Sequence, residues 1–194
     1  MAIKDRKLKE KERIRKRIMQ SARKIALKSG WDSVTIRKIA DSIDYAPPIV
    51  YEHFENKEDL FKELVYMGFR MLKDELDKAK AKAKDTKSLL KELSLAQWDF
   101  AFNNQDLYQL MFSIEKPIPS EEMIYNFNLL KDTFFELGKN DKQLVEEIAL
   151  SWMCLSHGAI SLFIFSPAPA HHPHKEFDRR EMYGKVIDRF IRTI

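Results

Sequence analysis

Few side chains in the sequence have the types and spacing that catalysis requires. The one cysteine, Cys154, stands beside apolar residues such as Trp152, where we expect a buried, inert thiol. His171, His172 and His174 cluster in a proline-rich stretch without a nearby cysteine, so metal binding is conceivable there but is not expected. No nucleophile with an oriented base and no carboxylate pair has a recognisable spacing. We therefore expect no enzyme, no metal site and no cofactor.

The positive charge of the chain is concentrated at its N-terminal end. Residues 1–28 contain twelve Lys and Arg against three Asp and Glu, whereas the whole chain has a formal net charge of +4. A basic end on a mildly acidic body favours a polyanionic partner, and a solvated basic helix face is the alternative. Residues 2–13 either extend the first helix or form an arm over the partner. Both arrangements would add salt-sensitive affinity for that partner.

The elements that must position these side chains are helices. Only 5 Gly and 7 Pro interrupt 194 residues, and 13 Phe and 3 Trp supply a large core. Gly30 is expected to end the first helix and Thr35 to cap the second, with Val34 and Ile39 packed as a hydrophobic staple. A break at residues 44–48 precedes a third short helix. Asn56 is expected to cap a long fourth helix.

The remaining helices have less sharply defined ends. We expect the second helix at about Ile36–Ile43 and the third to end near Phe54. The helices beyond the fourth are expected at about Lys87–Asn103, Leu107–Ser113, Glu121–Gly138, Lys142–Phe165 and Glu176–Ile194. Residues 166–174 are expected to form a loop because their prolines cannot continue a helix. The sequence thus predicts an all-α chain of about nine helices.

Three stretches near the N-terminus carry an ordered set of matching residues: Ile18–Gly30, Val34–Ala40 and Val50–Leu60. This set resembles the signature of the TetR family of transcription regulators. The close matches are Ala22, Gly30, Val34, Thr35, Ile39, Ala40, Tyr51, His53, Phe54, Lys57, Glu58 and Leu60. The resemblance implies a three-helix helix-turn-helix domain over residues 1–56. A larger helical domain for ligand binding and dimerisation is implied over residues 57–194.

The resemblance also implies which residues contact DNA. The hydroxyl of Thr35 and the free amides of its helix start are expected to hold a phosphate, and Lys57 to touch the DNA backbone. Tyr51 and His53 are expected on the recognition helix, with polar tips that reach phosphates while Phe54 turns inward. Tyr51 packing within the domain and a merely exposed His53 are the alternatives. Arg37 and Lys38 either add base or phosphate contacts or are solvated charges.

The turn before the recognition helix departs from the family pattern. Asp44 stands where the family usually has Gly, and Ala46 where it often has Ser. Asp tolerates a left-handed backbone better than most residues, so the turn is expected to survive. Pro47 is expected to be extended and Pro48 to be the first helical residue. The amides of Ile49 and Val50 would then be free for a phosphate.

The exposed tip of this turn is apolar. Pro47, Pro48 and Ile49 are expected to contact a thymine methyl group or a sugar edge rather than to make hydrogen bonds.

The body is rich in aromatic and other large apolar side chains. By resemblance it encloses a ligand pocket, although such residues more often form a core. Among them His157 is the candidate polar group, with a hydrogen-bonded core histidine as the alternative. The candidate pocket residues are Trp98, Phe102, Met111, Phe112, Phe127, Phe134, Trp152 and His157.

Two later helices are expected to form the dimer interface. Small residues recur every three or four positions in one of them, which lets a partner helix approach closely. Apolar residues recur likewise in the last helix, and intrachain core is the alternative for both stripes. The candidate interface residues are Ser151, Cys154, Gly158, Ser161, Tyr183, Val186, Ile187 and Phe190. Two recognition helices related by a twofold axis would read a palindrome.

These inferences combine into one expected function. The chain is expected to be a cytoplasmic regulator, most often a repressor, that binds palindromic operator DNA as a homodimer. A small, largely apolar effector is expected to release it from DNA. The alternative is a DNA-binding or partner-recruiting protein of the same fold without an effector. An N-terminus without an apolar signal segment, and the lack of any unbroken run of about 18 apolar residues, indicate no secretion and no membrane partner.

Overall fold

The computed structural model describes residues 3–113, 119–137, 141–165 and 178–194. Over these residues the chain forms nine α-helices, a short 3-10 turn at Trp31–Ser33 and no strand, which confirms the all-α prediction. The helices are α1 (Ile3–Ser29), α2 (Ile36–Ser42), α3 (Pro48–Tyr51), α4 (Lys57–Lys82), α5 (Thr86–Asn103), α6 (Gln105–Ser113), α7 (Glu121–Glu136), α8 (Lys142–Phe165) and α9 (Arg179–Thr193).

Local side-chain chemistry explains several of these boundaries. Gly30 ends α1 with a φ of +77°, a backbone conformation that costs glycine little. Asn56 caps α4, because its Oδ1 accepts the Asp59 amide at 2.7 Å. Asp85 and Ser88 form a reciprocal capping box at the start of α5. The predicted ends at Gly138 and Glu176, and the predicted loop of residues 166–174, lie outside the described residues.

The basic N-terminal segment extends the first helix rather than forming a separate arm. Helix α1 begins at Ile3, and residues 5–13 are all exposed. Of the two arrangements expected for residues 2–13, the structure therefore shows the helical extension.

The chain divides into two compact units, and the first combines Met1–Gly68 with Gln105–Pro117. Its core contains fully buried apolar residues from α1 to α4, among them Ile18, Val34, Ile39, Val50 and Leu60. Helix α6 joins this unit through Asp106, whose side chain is 1% exposed and whose Oδ2 lies 2.5 Å from Arg23 Nε. The indole of Trp31 donates to the Asp106 carbonyl at 2.8 Å. The unit reflects packing, so the functional boundary predicted after residue 56 stays a prediction.

The second unit combines Phe69–Asn104 with Ile118–Ile194. Helix α5 packs against α7, α8 and α9, and α8 also packs against α7 and α9. Near the end of α4, Asp77 accepts a hydrogen bond from the Tyr125 hydroxyl at 2.6 Å and pairs with Lys73 at 2.6 Å. The Tyr125–Asp77 hydrogen bond fastens α7 to α4.

One helix of the described part of the chain has the length and apolar composition of a membrane span. It covers Lys142–Ile164, and only 22% of its most apolar window is buried in the single chain. The expectation from unbroken apolar runs missed it, because polar residues are interspersed along the helix. Leu150 and Leu162 are 56% and 69% exposed on α8. The helix therefore presents apolar side chains that its own chain does not cover.

Candidate nucleic-acid interface

The start of α2 is built as its sequence predicts. Thr35 is extended, and its hydroxyl oxygen accepts the Lys38 amide at 3.3 Å. Val34 and Ile39 are both fully buried, as a hydrophobic staple requires. Thr35 itself is exposed. Its hydroxyl can still donate a proton to an acceptor such as a phosphate oxygen.

The turn between α2 and α3 depends on Asp44. Its φ is +61°, the only positive value at a non-glycine residue in the described ranges. The Tyr45 amide then returns to the Ala40 carbonyl at 3.0 Å and closes the end of α2. Asp is one of the few residues that adopts this conformation at modest cost. The prediction that the turn survives without the family's glycine is confirmed.

The prediction for Pro47 is wrong. Pro47 has helical angles, φ −50° and ψ −33°, rather than an extended backbone. The Ile49 amide donates to the Ala46 carbonyl at 3.1 Å, and the Val50 amide to Pro47 at 3.0 Å. Helix α3 nevertheless begins at Pro48, as predicted, and these two hydrogen bonds offset the crowding between Pro47 and Pro48. The amides of Ile49 and Val50 are not free for a phosphate.

Helix α3 separates a buried face from a protruding one. Val50 and Phe54 are 0% and 2% exposed, so Phe54 turns inward as predicted. Tyr51 is 56% exposed, which removes the alternative that it packs within the domain. Pro48 is exposed, and Pro47 and Ile49 are partly exposed. An apolar tip and a tyrosine hydroxyl therefore face outward together.

His53 lies just after α3 and is partly buried. Burial lowers its pKa, and the positive charges of Lys11 and Arg15 lower it further. Its Nδ1 atom is buried without a hydrogen-bond partner. The ring is therefore neutral at pH 7, and any phosphate contact would be a neutral hydrogen bond from Nε2 rather than an ionic one.

The three predicted cations differ in how far they are already engaged. Arg37 has 86% of its side chain exposed and lies 4.0 Å from Asp41. Lys38 donates to the Ser33 carbonyl at 2.9 Å. Lys57 lies over the ring of Phe61, with Nζ 4.9 Å from its centroid. Arg37 is thus largely exposed to solvent, and Lys57 lies over Phe61 at the start of α4.

Sequence reasoning missed two arginines of α1 that are part of this architecture. Arg15 donates to the His53 carbonyl at 2.9 Å, and Arg17 to the Ile43 carbonyl at 2.8 Å. In the sequence they are two of twelve basic residues, and only their being Arg rather than Lys distinguishes them from most of the others.

An open cleft also lies in this unit. Its volume is about 350 Å³, and it is lined by α1 residues including Arg17, Lys24 and Lys28 and by Ser42 and Ile43. The cleft is basic and open, so it does not correspond to the apolar effector pocket expected in the body.

Comparison with known proteins agrees with this geometry. Residues 18–64 match the sequence model described as bacterial regulatory proteins, tetR family. The chain carries a TetR-family DNA-binding domain. The match spans α1 from Ile18 to α4 at Leu64 and includes the turn and the recognition helix α3. No curated protein matches the sequence.

Solved structures share the fold over nearly the whole chain. A protein of unknown function from a Rhodococcus species is 20% identical with a TM-score of 0.74, covering 93% of this chain and 94% of its own. PfmR, a TetR-family regulator from Thermus thermophilus, is 17% identical with a TM-score of 0.64, covering 91% and 97%. A TetR variant from Acinetobacter baumannii in complex with minocycline is 16% identical with a TM-score of 0.66, covering 91% and 93%. At these identities the likeness shows the TetR fold.

Half of the predicted pocket residues are buried, namely Trp98, Met111, Phe134 and Trp152. Trp98 is stacked between Phe102, at 4.3 Å between ring centroids, and Tyr183, at 4.7 Å. Phe134 is fully buried, and the Trp152 indole donates to Ser94 Oγ at 2.9 Å. This aromatic cluster joins α5, α8 and α9 within the second unit.

The other pocket candidates are placed differently. Met111 belongs to the first unit and packs on Gly68, where an added Cβ would lie 2.5 Å from its sulfur. Phe112, also in the first unit, is 42% exposed, and Phe127 on α7 is 51% exposed. His157 is partly exposed on α8, and burial lowers its pKa, so its imidazole is neutral at pH 7. Their role in a pocket stays a prediction.

Helix α8 has two opposite faces. One is buried in its own unit and carries Val145, Ala149, Trp152, Ser156 and Ile160, spaced by three or four residues. The predicted small-residue stripe lies on the other face: Ser151 and Cys154 are exposed, and Gly158 and Ser161 are partly exposed. The stripe is therefore not intrachain core. Cys154 is a free, exposed thiol, so the expectation that it is buried within the chain is wrong.

Two predicted interface residues on α9 are instead core. Tyr183 is 1% exposed and Ile187 is fully buried, because this face of α9 packs on α5 within the same chain. Val186 and Phe190 remain partly exposed. The surface available to a second copy on α9 thus excludes Tyr183 and Ile187.

The histidine cluster at 171, 172 and 174 lies outside the described residues. Within the described ranges, no group of three or more His, Cys, Asp or Glu side chains could hold a metal ion.

Proposed function

We propose that the protein is a DNA-binding transcription regulator that acts as a homodimer on palindromic operators. The observation that carries this proposal is the helix-turn-helix itself. A TetR-family match coincides with an α3 helix that exposes Tyr51 and the apolar tip while burying Val50 and Phe54. An exposed short helix flanked by cations fits the major groove and its phosphates.

The contacts expected on DNA fall into two kinds. Thr35, Tyr51 and Lys57 contact phosphates, with the largely exposed Arg37 nearby and Lys38 and His53 beside them. Pro47, Pro48 and Ile49 contact base edges, where a thymine methyl group suits their apolar surface. The exposed basic helix of residues 5–13 adds phosphate attraction that depends on salt.

Homodimerisation is supported by the uncovered face of α8. Its small-residue stripe, Ser151, Cys154, Gly158 and Ser161, is flanked by the exposed Leu150 and Leu162. An added Cβ at Gly158 would meet nothing within 4 Å in the single chain, so space for another helix exists there. Val186 and Phe190 of α9 complete the proposed interface. A second copy is the occupant that a palindromic site requires.

We further propose that a small, uncharged, largely apolar effector binds the body and releases the DNA. The candidate lining residues that carry a nitrogen, Trp98, Trp152 and His157, are neutral, and the others are apolar. Trp98, Phe102, Phe127 and Phe134 supply aromatic surface, and Met111 and Phe112 remain candidates. Repression follows if the bound operator overlaps a promoter.

The DNA proposal is tested by selecting duplexes from a random pool and measuring binding to them over a salt series. We expect a palindrome to be selected. Tyr51→Ala and Lys57→Ala should each weaken binding about tenfold, the loss of one charge-assisted or buried polar contact. Lys62→Ala removes the same charge from an exposed position on α4 outside the proposed contacts and is the matched control. A wild type that selects no sequence would contradict the proposal.

Base contact by the tip is tested separately. Ile49→Ala is expected to change which sequence is selected, with little change in the salt dependence. An unchanged selected sequence would remove Ile49 from the base contacts.

The effector proposal is tested by screening uncharged aromatic compounds for release of the selected duplex. A true effector should also quench the fluorescence of the body tryptophans, and Trp98→Phe should change both readouts together. A regulator that no compound releases fits the effector-independent alternative.

A further inference from the structure

Arg15 is held at three points around the end of the recognition helix. Its Nη1 donates to the His53 carbonyl at 2.9 Å, and its Nη2 lies 2.7 Å from the Glu63 carboxylate. Its guanidinium carbon stands 4.4 Å from the ring centroid of Phe54. The side chain is 34% exposed, so the group is partly withdrawn from solvent. One arginine thus ties α1 to the residues after α3 and to α4.

Arg17 makes an equivalent contact two residues later. Its Nη2 donates to the Ile43 carbonyl at 2.8 Å, at the end of α2. Its guanidinium carbon lies 5.6 Å from the ring centroid of Tyr45, in the turn. Arg17 therefore holds the chain where it leaves α2.

The carbonyls that accept these hydrogen bonds, those of Ile43 and His53, lie immediately before and after the DNA-reading segment, which we define as residues 44–52. This segment contains the strained turn at Asp44 and a recognition helix of only four residues, Pro48–Tyr51. Such a short helix cannot hold its own orientation, because one turn of hydrogen bonds does not offset the loss of chain entropy. Fixed anchors at both ends supply the missing restraint.

Arginine suits this task better than lysine. Its planar fork can donate to a carbonyl and a carboxylate at once while its face rests on an aromatic ring. A lysine at position 15 would keep the charge but offer a single point donor. The neighbouring Lys16, by contrast, is exposed on the same helix.

We propose that Arg15 and Arg17 are positioning residues that fix the two ends of the DNA-reading segment against α1, and that they are not phosphate contacts. This inference rests on the proposed DNA-binding function. The basic residues of α1 then have two roles: Arg15 and Arg17 bind groups within the domain, and the exposed basic residues are available to DNA. Replacing these two arginines should then weaken binding to the selected sequence more than it weakens binding to DNA of unrelated sequence.

The test compares variants that keep the charge with variants that remove it. Arg15→Lys and Arg17→Lys are each expected to bind the selected duplex about tenfold more weakly, the loss of one charge-assisted hydrogen bond. Affinity for a scrambled duplex of the same length should not change, and neither should the dependence on salt. Glu63→Gln, which leaves Arg15 in place, should give a smaller loss of the same kind. Thermal unfolding of each variant confirms that it is folded.

The opposite outcome is equally distinct. If these arginines contact phosphates, the lysine variants will bind as the wild type does. Arg15→Met and Arg17→Met will then weaken both duplexes and reduce the salt slope by about one. Lys16→Met is the matched control that removes one exposed charge. Either that pattern or unchanged binding by all variants would overturn the proposal.

A second readout does not depend on DNA. Hydrogen exchange measured by mass spectrometry on the free protein should be faster over residues 44–54 in both lysine variants than in the wild type. Equal exchange rates in the variants and the wild type would refute the anchoring role, whether or not the protein binds DNA. A wild type that selects no DNA sequence would instead contradict the proposed function and leave the anchoring role to the exchange measurement.

Discussion

The two compact units leave different surfaces uncovered. In the unit that contains α1 to α3, the exposed groups include the basic residues of α1 and Arg37, whose side chain is 86% exposed, together with Tyr51. In the other unit, α8 exposes an apolar face, on which Leu162 is 69% exposed. The first surface suits a polyanion and the second suits another apolar surface. The chemical character of an exposed surface thus indicates the kind of partner that it binds.

The units also differ in what holds them together. The first relies on guanidinium groups bound to backbone carbonyls and on the buried Arg23–Asp106 pair. The second relies on stacked rings around Trp98, which include the buried ring of Tyr183, and on the hydrogen bond from the Trp152 indole to the buried Ser94 hydroxyl. Removal of a charge should therefore damage the first unit most, and strongly alkaline pH the second.

The largest expected effect tests the apolar surface of α8. Cys154→Glu should convert the dimer to a monomer, because two like charges would be desolvated where the helices meet. Operator affinity should fall about a thousandfold, since each head would bind alone. Light scattering and a binding titration measure the two effects. Asn103→Asp, an exposed position at the end of α5, should change neither, and a dimeric Cys154→Glu protein would exclude this face as the interface.

The next effect tests the charged interior of the first unit. Asp106→Ala should lower the free energy of unfolding by about 3 kcal/mol, because Arg23 would lose its buried partner. Chemical denaturation measures the change. Glu10→Ala removes an exposed pair with Arg13 and should have no measurable effect. Equal effects of the two substitutions would mean that α6 is not held by this ion pair.

Alkaline pH probes the interior of the second unit. Burial raises the pKa of Tyr183 to about 12, whereas in the unfolded chain this hydroxyl ionises near the ordinary value of 10. The contribution of Tyr183 to stability is thus complete below pH 10 and is lost as pH rises from 10 to 12. The loss should approach about 2–3 kcal/mol. Tyr183→Phe should reduce this alkaline loss, and Tyr51→Phe should not; identical pH profiles would contradict the assignment.

The smallest effect concerns the turn at Asp44. Asp44→Gly should raise stability by about 0.5 kcal/mol, because glycine adopts a positive φ without strain. Asp44→Val should destabilise the protein by about 1–2 kcal/mol, since a β-branched side chain fits this conformation poorly. Thermal unfolding compares the three proteins. A destabilised glycine variant would mean that the Asp44 side chain itself holds the turn.

The two units also differ in how far the sequence predicts them. Caps at Thr35 and Asn56 follow from local residue chemistry, and the inward turn of Phe54 follows from the family resemblance; the structure confirms all three. The prediction of an extended backbone at Pro47 is wrong because two hydrogen bonds of this turn outweigh the preference for extended backbone before a proline. The sequence predicts the preferred backbone conformation of a residue before proline, but the hydrogen bonds of the folded turn can override that preference.

The sequence does not predict contacts between residues that are far apart along the chain. Nothing in the residue pattern links Arg23 with Asp106, or Arg15 with the carbonyl of His53, because these partners are far apart along the chain. On α9, apolar spacing identified a stripe but could not separate Tyr183 and Ile187, which face the core, from Val186 and Phe190. Periodicity predicts that a face is apolar, and only packing shows which neighbour covers it.

The most direct test of the central claim is the stoichiometry of the complex with the selected duplex. Analytical ultracentrifugation of the wild-type protein with that duplex should give two chains per duplex, and the selected sequence should read the same on both strands. A single chain bound to an asymmetric site would contradict the account of two recognition helices brought together through α8.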